Sequence, residues 1–452
     1  MNKGNKLFYG WWMVIVVTTI FIVGNAAPFA IVLKQLMEQF HTGRGEVSLS
    51  QSILMFAAGI TGMFVGRILP RYSPKKFLLW GSIVGGISTL LLSLANGLWF
   101  LYVFSLIAGL AGGFSNAIAM FTLLSRWFVR KWGTALGVAM AGGGIGGIVV
   151  QPLVGIIAQN YGWRATYLFA GSLILAINVP LILFVMKDHP ESMGLLPDGD
   201  KSKEIITSAN DKPLIQATTE STSTIKTTEL LAYLKKPSFW LMGISFTAVS
   251  IGSAAVTTHE VSFITDMNIS ATIAASARGI TIGIGAISAL ASGWLADRLI
   301  SRYVTILFIF LVMVGMLILI QADTMPKIWL FVVIYGLGNG VFGTLLPIVT
   351  KDIFGPANFS ALFGFAVVFL FTGYSIGVPL AGFMFDATGS YHSVFIITTA
   401  IYIAAIFGIY FAFGAKPKPL VRLSVSKKKT GRLDIWIKRI KNRLRVCNRV
   451  SY

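Results

Sequence analysis

Cysteine is nearly missing from this chain of 452 residues: there is one, Cys447. That excludes a disulfide framework and a cysteine-ligated metal site. Charge is also scarce, at 12% of residues, about half of what a soluble domain carries. Acid is the scarcer sign, 17 Asp and Glu against 37 Lys and Arg. With 55% of residues hydrophobic, a soluble globular class is excluded. The chain also lacks a Gly-rich nucleotide loop, a His-x-x-x-His pair and a nucleophile with a base at membrane depth, so neither an enzyme nor an ATP-driven pump is expected, and no cofactor.

What is there is a series of apolar runs, each about the 20 residues that cross a bilayer as a helix. Twelve are found: 10–33, 47–68, 77–95, 98–124, 132–158, 164–186, 239–264, 271–295, 303–321, 327–350, 360–385 and 392–414. The expected fold class is an all-α polytopic membrane protein. The first run follows Lys3 and Lys6 and reads as an uncleaved helix rather than a secretory signal, given its length and the eleven runs behind it. The net charge of +20 follows topology: with a cytoplasmic N-terminus, cytoplasmic segments hold 32 of the 37 Lys and Arg. Outer segments hold only Lys34, Arg44, Arg164 and Lys327. The positive-inside rule therefore places both termini in the cytoplasm of a cell membrane.

Between Lys187 and Pro237 the chain turns polar and rich in Ser, Thr and Lys, a composition with little to pack. It divides the sequence into a six-helix bundle (1–186), a cytoplasmic loop (187–237), a second six-helix bundle (238–415) and a basic tail (416–452). Sliding the first half by 227 positions pairs Gly66 with Gly293, Gly109 with Gly336, Gly113 with Gly340, Gly137 with Gly364, Gly146 with Gly373, Gly155 with Gly382 and Gly162 with Gly389. Arg71 meets Arg298 and Pro152 meets Pro379 in the same register. About two glycine pairs would be expected by chance, so the halves read as a repeat, a known transporter plan.

The segment closing the eighth run reads "GWLADRLISRY", and the matching first-half place reads "GRILPRYSPKK". The first resembles the loop motif of the major facilitator superfamily. The resemblance implies twelve helices in two pseudo-symmetric bundles, and a conformational latch from Gly293, Asp297 and Arg298. The first-half copy keeps Gly66 and Arg71 but has Pro70 where the acid belongs, which implies an asymmetric latch. Three further stretches, "YGWWMVIV", "FHTGRGEVSLSQSI" and "SRWFVRKWGTALGVAMAGGGIGG", resemble the monocarboxylate transporter branch, which includes oxalate:formate antiporters. The basic residues of the third stretch, Arg126, Arg130 and Lys131, sit at the cytoplasmic mouth, where anchoring alone would explain them.

One cation interrupts the eighth run: Arg278, in "ATIAASARGITIGIGAISALASGW". Such a residue costs at least ~2.5–3.5 kcal/mol on insertion scales. Fifteen residues separate it from Gly293, about 22 Å along a helix, too far to snorkel to the inner boundary. Its partner is either an acid of the protein, with Glu260, Asp266 and Asp386 as candidates near the outer surface, or the substrate's carboxylate, which a guanidinium fork fits bidentately. The resemblance implies the second, since monocarboxylate transporters pair a helix 8 arginine with the substrate. Two proton-coupling positions of animal relatives fall here on Ala27 and Ala274, so that route does not transfer. His259, Glu260 and Asp386 are the replacement candidates for proton coupling or for an outer gate. The antiporters' lysine in helix 11 falls near Phe369, and residues 360–385 contain no Lys or Arg, so a monoanion is expected.

Asn25, Asn116, Tyr335, Asn339 and Tyr374 complete the expected substrate site, each with interhelical hydrogen bonding as its alternative role. In the tail, Leu433, Trp436, Ile437, Ile440, Leu444 and Cys447 recur at helical spacing among basic residues, the pattern of an interfacial helix attracted to anionic lipid. Nucleic acid is not an expected partner, and a monomer suffices. The expected function is secondary transport of small monocarboxylates of the lactate or pyruvate type by alternating access, coupled to protons. The alternatives are an organic-anion exchanger of the oxalate:formate type, a transporter of an aromatic or dicarboxylic acid, and a non-transporting membrane sensor.

Overall fold

A computed structural model describes residues 8–69, 72–115, 117–129, 131–199, 236–355 and 359–414. The central segment from 200 to 235 and the tail, with its expected interfacial helix, lie outside the described residues, as do Pro70, Arg71, Asn116 and Arg130.

Among the described residues, eleven helices are long and apolar enough to cross a membrane. They account for twelve crossings, because residues 134–185 form one apolar stretch of 52 residues, about 78 Å at 1.5 Å per residue and more than twice a ~30 Å bilayer core. It is divided at Gly162, whose φ of 79° and ψ of 178° no helix admits. That conformation favours glycine. Gly389, its mate at the 227 offset, also has positive φ, 70°, and stands between the last two helices.

The crossings are α1 (Gly10–Phe40), α2 (Arg44–Ile68), α3 (Pro74–Leu92), α4 (Leu98–Trp127), α5 (residues 132–161), α6 (residues 163–185), α7 (Pro237–Asp266), α8 (Ala271–Arg298), α9 (Ser301–Ile320), α10 (Met325–Phe354), α11 (Phe359–Thr388) and α12 (His392–Ala412). α1 runs on past the expected end at 33, after a break over Asn25–Pro28. α10 is interrupted at Gly340 and Val341. An even number of crossings puts the start of α1 and the end of α12 on one face, called here the termini face. α5 begins and α8 ends on that face.

The halves meet most extensively along α5 with α8 and α2 with α11, two seams that repeat one another at the 227 offset. A Cβ at Gly155 would lie 2.6 Å from the Ala275 methyl and 3.2 Å from the Thr272 Cα; one at Gly382 would lie 2.7 Å from the Gly45 nitrogen, the mate of Thr272. A Cβ at Gly144 would meet Ala286 at 2.7 Å, and one at Gly59, the mate of Ala286, would meet Phe371, the mate of Gly144, at 2.8 Å. Where no hydrophobic force drives helices together, small residues permit this closeness. The sequence repeat is thus a repeat of contacts.

Candidate functional site

Ser270 starts α8 as its N-cap, its hydroxyl accepting from the Ile273 nitrogen at 3.3 Å. Two turns later Arg278 faces a cavity of about 450 Å³, within the 300–1,000 Å³ range of small-molecule sites. Its walls come from α5, α7, α8 and α10. The space continues past Met140, Ile282 and Leu290 to Leu136, Gly137 and Gly293, within about two turns of the ends of α5 and α8 on the termini face. Most of this wall is apolar.

The polar groups gather at the deep end. Arg278 makes no ion pair or hydrogen bond among the described residues, and its Nε is buried without a partner. Glu260 of α7 lines the same cavity and is 2% exposed. Its Oε1 accepts from the Thr281 hydroxyl at 3.0 Å, three residues along α8 from Arg278, while Oε2 is buried with no partner. Thr257 and Asn339 also line the space. The Ser253 hydroxyl donates to Asn339 Oδ1 at 2.6 Å, and Thr257 donates to the Ser253 carbonyl at 2.7 Å, leaving the Tyr374 hydroxyl to donate to Thr257 at 3.3 Å.

Several expected residues stand elsewhere. Tyr335 is fully buried, its ring tilted 31° against Phe331 at 5.0 Å and packed against Gly315, and does not line the cavity. Asn25 caps the first segment of α1; its amide donates to the carbonyls of Phe21 and Gly143, and its own carbonyl accepts from Gln151. Tyr374 touches the site only through Thr257. Asn116 lies outside the described residues. Phe369 packs between Phe239 and Trp240, 5.7 and 5.9 Å away, and against Gly243, so a lysine there would enter an aromatic cluster rather than face Arg278. Glu260, expected near the outer surface, lies at the depth of Arg278 instead. The reason is length: α7 runs to Asp266, which leaves Glu260 almost two turns inside its end.

Asp266 and Asp386 serve a different cation. On the face opposite the termini, Arg44 is 4% exposed. Its guanidinium donates NH1 and NH2 to the two oxygens of Asp266 at 2.9 and 3.0 Å, and Lys34 reaches the same carboxylate at 2.6 Å. The Arg44 and Gly45 nitrogens donate to Asp386, each at 2.8 Å, an acid at the N-terminus of α2 where the dipole favours one. Arg44 also donates to the Tyr391 hydroxyl at 2.6 Å and lies 3.6 Å over the Phe385 ring. Burial raises the Tyr391 phenol above its ordinary range, with Arg44 opposing, so the hydroxyl keeps its proton. Since its oxygen accepts from Arg44, that proton goes to His259 Nδ1, 2.8 Å away. Nε2 of His259, 3.0 Å from the Val378 carbonyl, must then be the protonated nitrogen.

Near the termini face, Asp297 and Arg298 are exposed, Arg298 stacked 3.6 Å over Trp294. Among the described residues neither pairs with the first half. Gly66 lies within α2, and Arg71 is outside the described residues. Arg126 contacts His189 at 3.0 Å and the Tyr72 carbonyl at 3.4 Å. The clamp around Arg44 is what residue-by-residue reading missed: only its place in "FHTGRGEVSLSQSI", a buried position with two distant acids, could have pointed to it.

Paired seams at a fixed repeat, with a cavity between the halves and charged groups at its deep end, are the plan of a membrane transporter. Residues 13–356 match the model of the Major Facilitator Superfamily, and the chain belongs to that family. It is similar to monocarboxylate transporter 12 of Rattus norvegicus, 26% identical over 338 residues, covering 72% of this chain and 69% of the relative. Monocarboxylate transporter 2 of Mus musculus is 25% identical over 426 residues, 90% of this chain and 84% of the relative. The MFS-type transporter YcxA of Bacillus subtilis (strain 168) is 25% identical over 399 residues, 84% and 90% of the two chains. Among solved structures, a bacterial homolog of the human lysosomal transporter Spinster, in an inward-facing and unoccupied conformation, matches with a TM-score of 0.67 at 14% identity, over 91% of this chain and 97% of that one. That likeness concerns the fold.

Proposed function

We propose that this transporter carries small monocarboxylates together with a proton, by alternating access, in a cell membrane with both termini in the cytoplasm. The observation that carries the reading is Arg278, facing a cavity without an ion-pair partner, with the unpartnered Glu260 oxygen beside the same space. A carboxylate supplies what the guanidinium lacks. Support also comes from the similarity to monocarboxylate transporters and from the absence of Lys and Arg in residues 360–385, which favours a single negative charge.

Charge arithmetic gives the coupling. With Glu260 ionised and no substrate, the Arg278–Glu260 pair is neutral and the halves can rock. A bound monoanion makes the site −1 unless Glu260 takes a proton, which restores neutrality. A proton without substrate leaves +1. A net charge at membrane depth costs at least ~2.5 kcal/mol on insertion scales, enough to slow the wrong states about 60-fold at 1.4 kcal/mol per decade. Both ligands cross, or neither does. The apolar walls at Met140, Ile282 and Leu290 suit a substrate whose body is apolar.

The test is uptake of labelled acids into proteoliposomes with an imposed inward pH gradient at fixed voltage. Glu260→Gln mimics the protonated acid. It is expected to keep substrate-for-substrate exchange and to lose gradient-driven accumulation. Accumulation that persists in this variant would move the proton to another group and overturn the assignment.

A further inference from the structure

Among the described residues, a buried ionic cluster around Arg44 lies apart from the cavity that Arg278 faces. We infer that Arg44 is the keystone of a gate that holds the face opposite the termini shut, and that the two seams between the halves share this work unequally.

The clamp joins two halves that must separate on this face for a substrate to enter. Lys34 and Arg44 belong to the first half; Asp266, Asp386 and Tyr391 belong to the second. Every contact of the Arg44 side chain described above, two carboxylate hydrogen bonds, a phenol and the Phe385 ring, crosses between them. Moving α2 away from α7 and α11 breaks all of these together. The repeat supplies an internal control. At the 227 offset, Asp386 corresponds to Gln159 and Gly45 to Thr272. In the α5–α8 seam this mate is one neutral, exposed hydrogen bond, Thr272 to Gln159 at 2.8 Å. Ala271 stands where Arg44 does. One seam is ionic and buried, the other neutral and solvated, in a fold that otherwise repeats.

The clamp also reaches the helix that lines the cavity with Glu260. Arg44 donates to Tyr391, Tyr391 to His259 and His259 to the Val378 carbonyl, a chain with one direction. His259 is the residue before Glu260 on α7. Closing the gate therefore fixes the helix that carries the cavity's acid.

The experiment reads accessibility, uses no substrate, and so fails or succeeds independently of what is carried. In full-length protein with Cys447→Ser, Ser48→Cys places a thiol one turn along α2 from Arg44, at a site that is buried while the gate is shut. Thr344→Cys places one in the cavity near the termini face. Adding Arg44→Gln is expected to speed maleimide labelling of Ser48→Cys at least tenfold and to slow that of Thr344→Cys, opposite movements that local fraying of α2 would not give. Thr272→Val, the control in the other seam, is expected to change either rate less than twofold. Should Arg44→Gln not fold, Tyr391→Phe keeps the shape, removes the link to His259, and is expected to move both rates in the same directions by a few fold. Unchanged rates in the Arg44 or Tyr391 variant that folds, or an equal effect from Thr272→Val, would overturn the gate.

Discussion

Replacing Arg278 with Gln tests the substrate reading at its centre. The side chain keeps polarity and approximate length but loses the charge and the two-pronged fork. Truncating one partner of a buried, hydrogen-bonded charge pair costs roughly 2–5 kcal/mol, which is about 30- to 4,000-fold in affinity at 1.4 kcal/mol per decade. The structure favours the upper part of that range, because Arg278 makes no hydrogen bond or ion pair among the described residues and its loss would leave the Glu260 carboxylate facing the cavity without a counter-charge. A site of charge −1 repels the anion it should hold. Arg278→Lys keeps the cation but as a point donor, and should be strongly impaired rather than neutral. Binding of labelled lactate-like acids to detergent-purified variants, with uptake in proteoliposomes and a check of membrane insertion, reads both. Near-normal affinity in a folded Arg278→Gln protein would refute the reasoning, since it would mean that the carboxylate is held elsewhere.

Four other outcomes follow from the geometry. Tyr335→Phe should leave transport affinity within twofold, because the ring is buried outside the cavity; a tenfold loss in uptake assays would return Tyr335 to the site. Asp297→Asn should slow transport while keeping affinity within a few fold, as Asp297 is exposed near the termini face, far from Arg278; a large affinity loss with unaltered cavity labelling would contradict that. Gly382→Val puts a side chain into the backbone at Arg44 and Gly45, 2.7–2.8 Å from a Cβ, and should raise labelling at Ser48→Cys; an unchanged rate would mean that the seam yields without opening. Asp386→Gln makes the ionic cap chemically like its mate Gln159. At ~0.5–2 kcal/mol for a capping group, it should open the gate about 2- to 30-fold in the same assay, less than Arg44→Gln, which also frees Asp266.

The helices were legible because their signal is long: runs of apolar residues survive uncertainty about any one position. Gly162 and Gly389 were legible as a pair, yet their shared positive φ was not, since nothing local distinguishes a glycine in a helix contact from one at a reversal. Arg278 stood out because a charge in a run of small residues has no bland local explanation. Glu260 was misplaced by depth, because counting from an apolar boundary put the end of α7 too early. Tyr335 and Asn25 look like site residues along the chain, but which face of a transmembrane helix meets the cavity depends on its neighbours. Arg44 carried the weakest signal of all. A basic residue at an apparent helix end reads as solvated, and only the arrival of Asp266 and Asp386, 222 and 342 positions away, makes it buried.

The repeat that makes the backbone symmetric does not extend to the charges. Shifted by 227, Glu260 falls on Leu33, His259 on Val32, Arg278 on Gln51 and Asn339 on Gly112, so the ionisable pair of the cavity belongs wholly to the second half. The clamp divides differently, with cations from the first half and acids from the second. This division has a mechanical consequence. On the proposed function, a proton on Glu260 and a carboxylate on Arg278 both bind within the second half, and that chemistry makes or breaks no bond between the halves. Resistance to opening on the far face lies instead in the Arg44 cluster, which the ligands reach only through α7, where His259 and Glu260 are adjacent. Substrate chemistry and gate therefore meet on one helix. A variant that alters only the cavity's charge should change which ligands are carried together, and one that alters only the clamp should change how often the halves part.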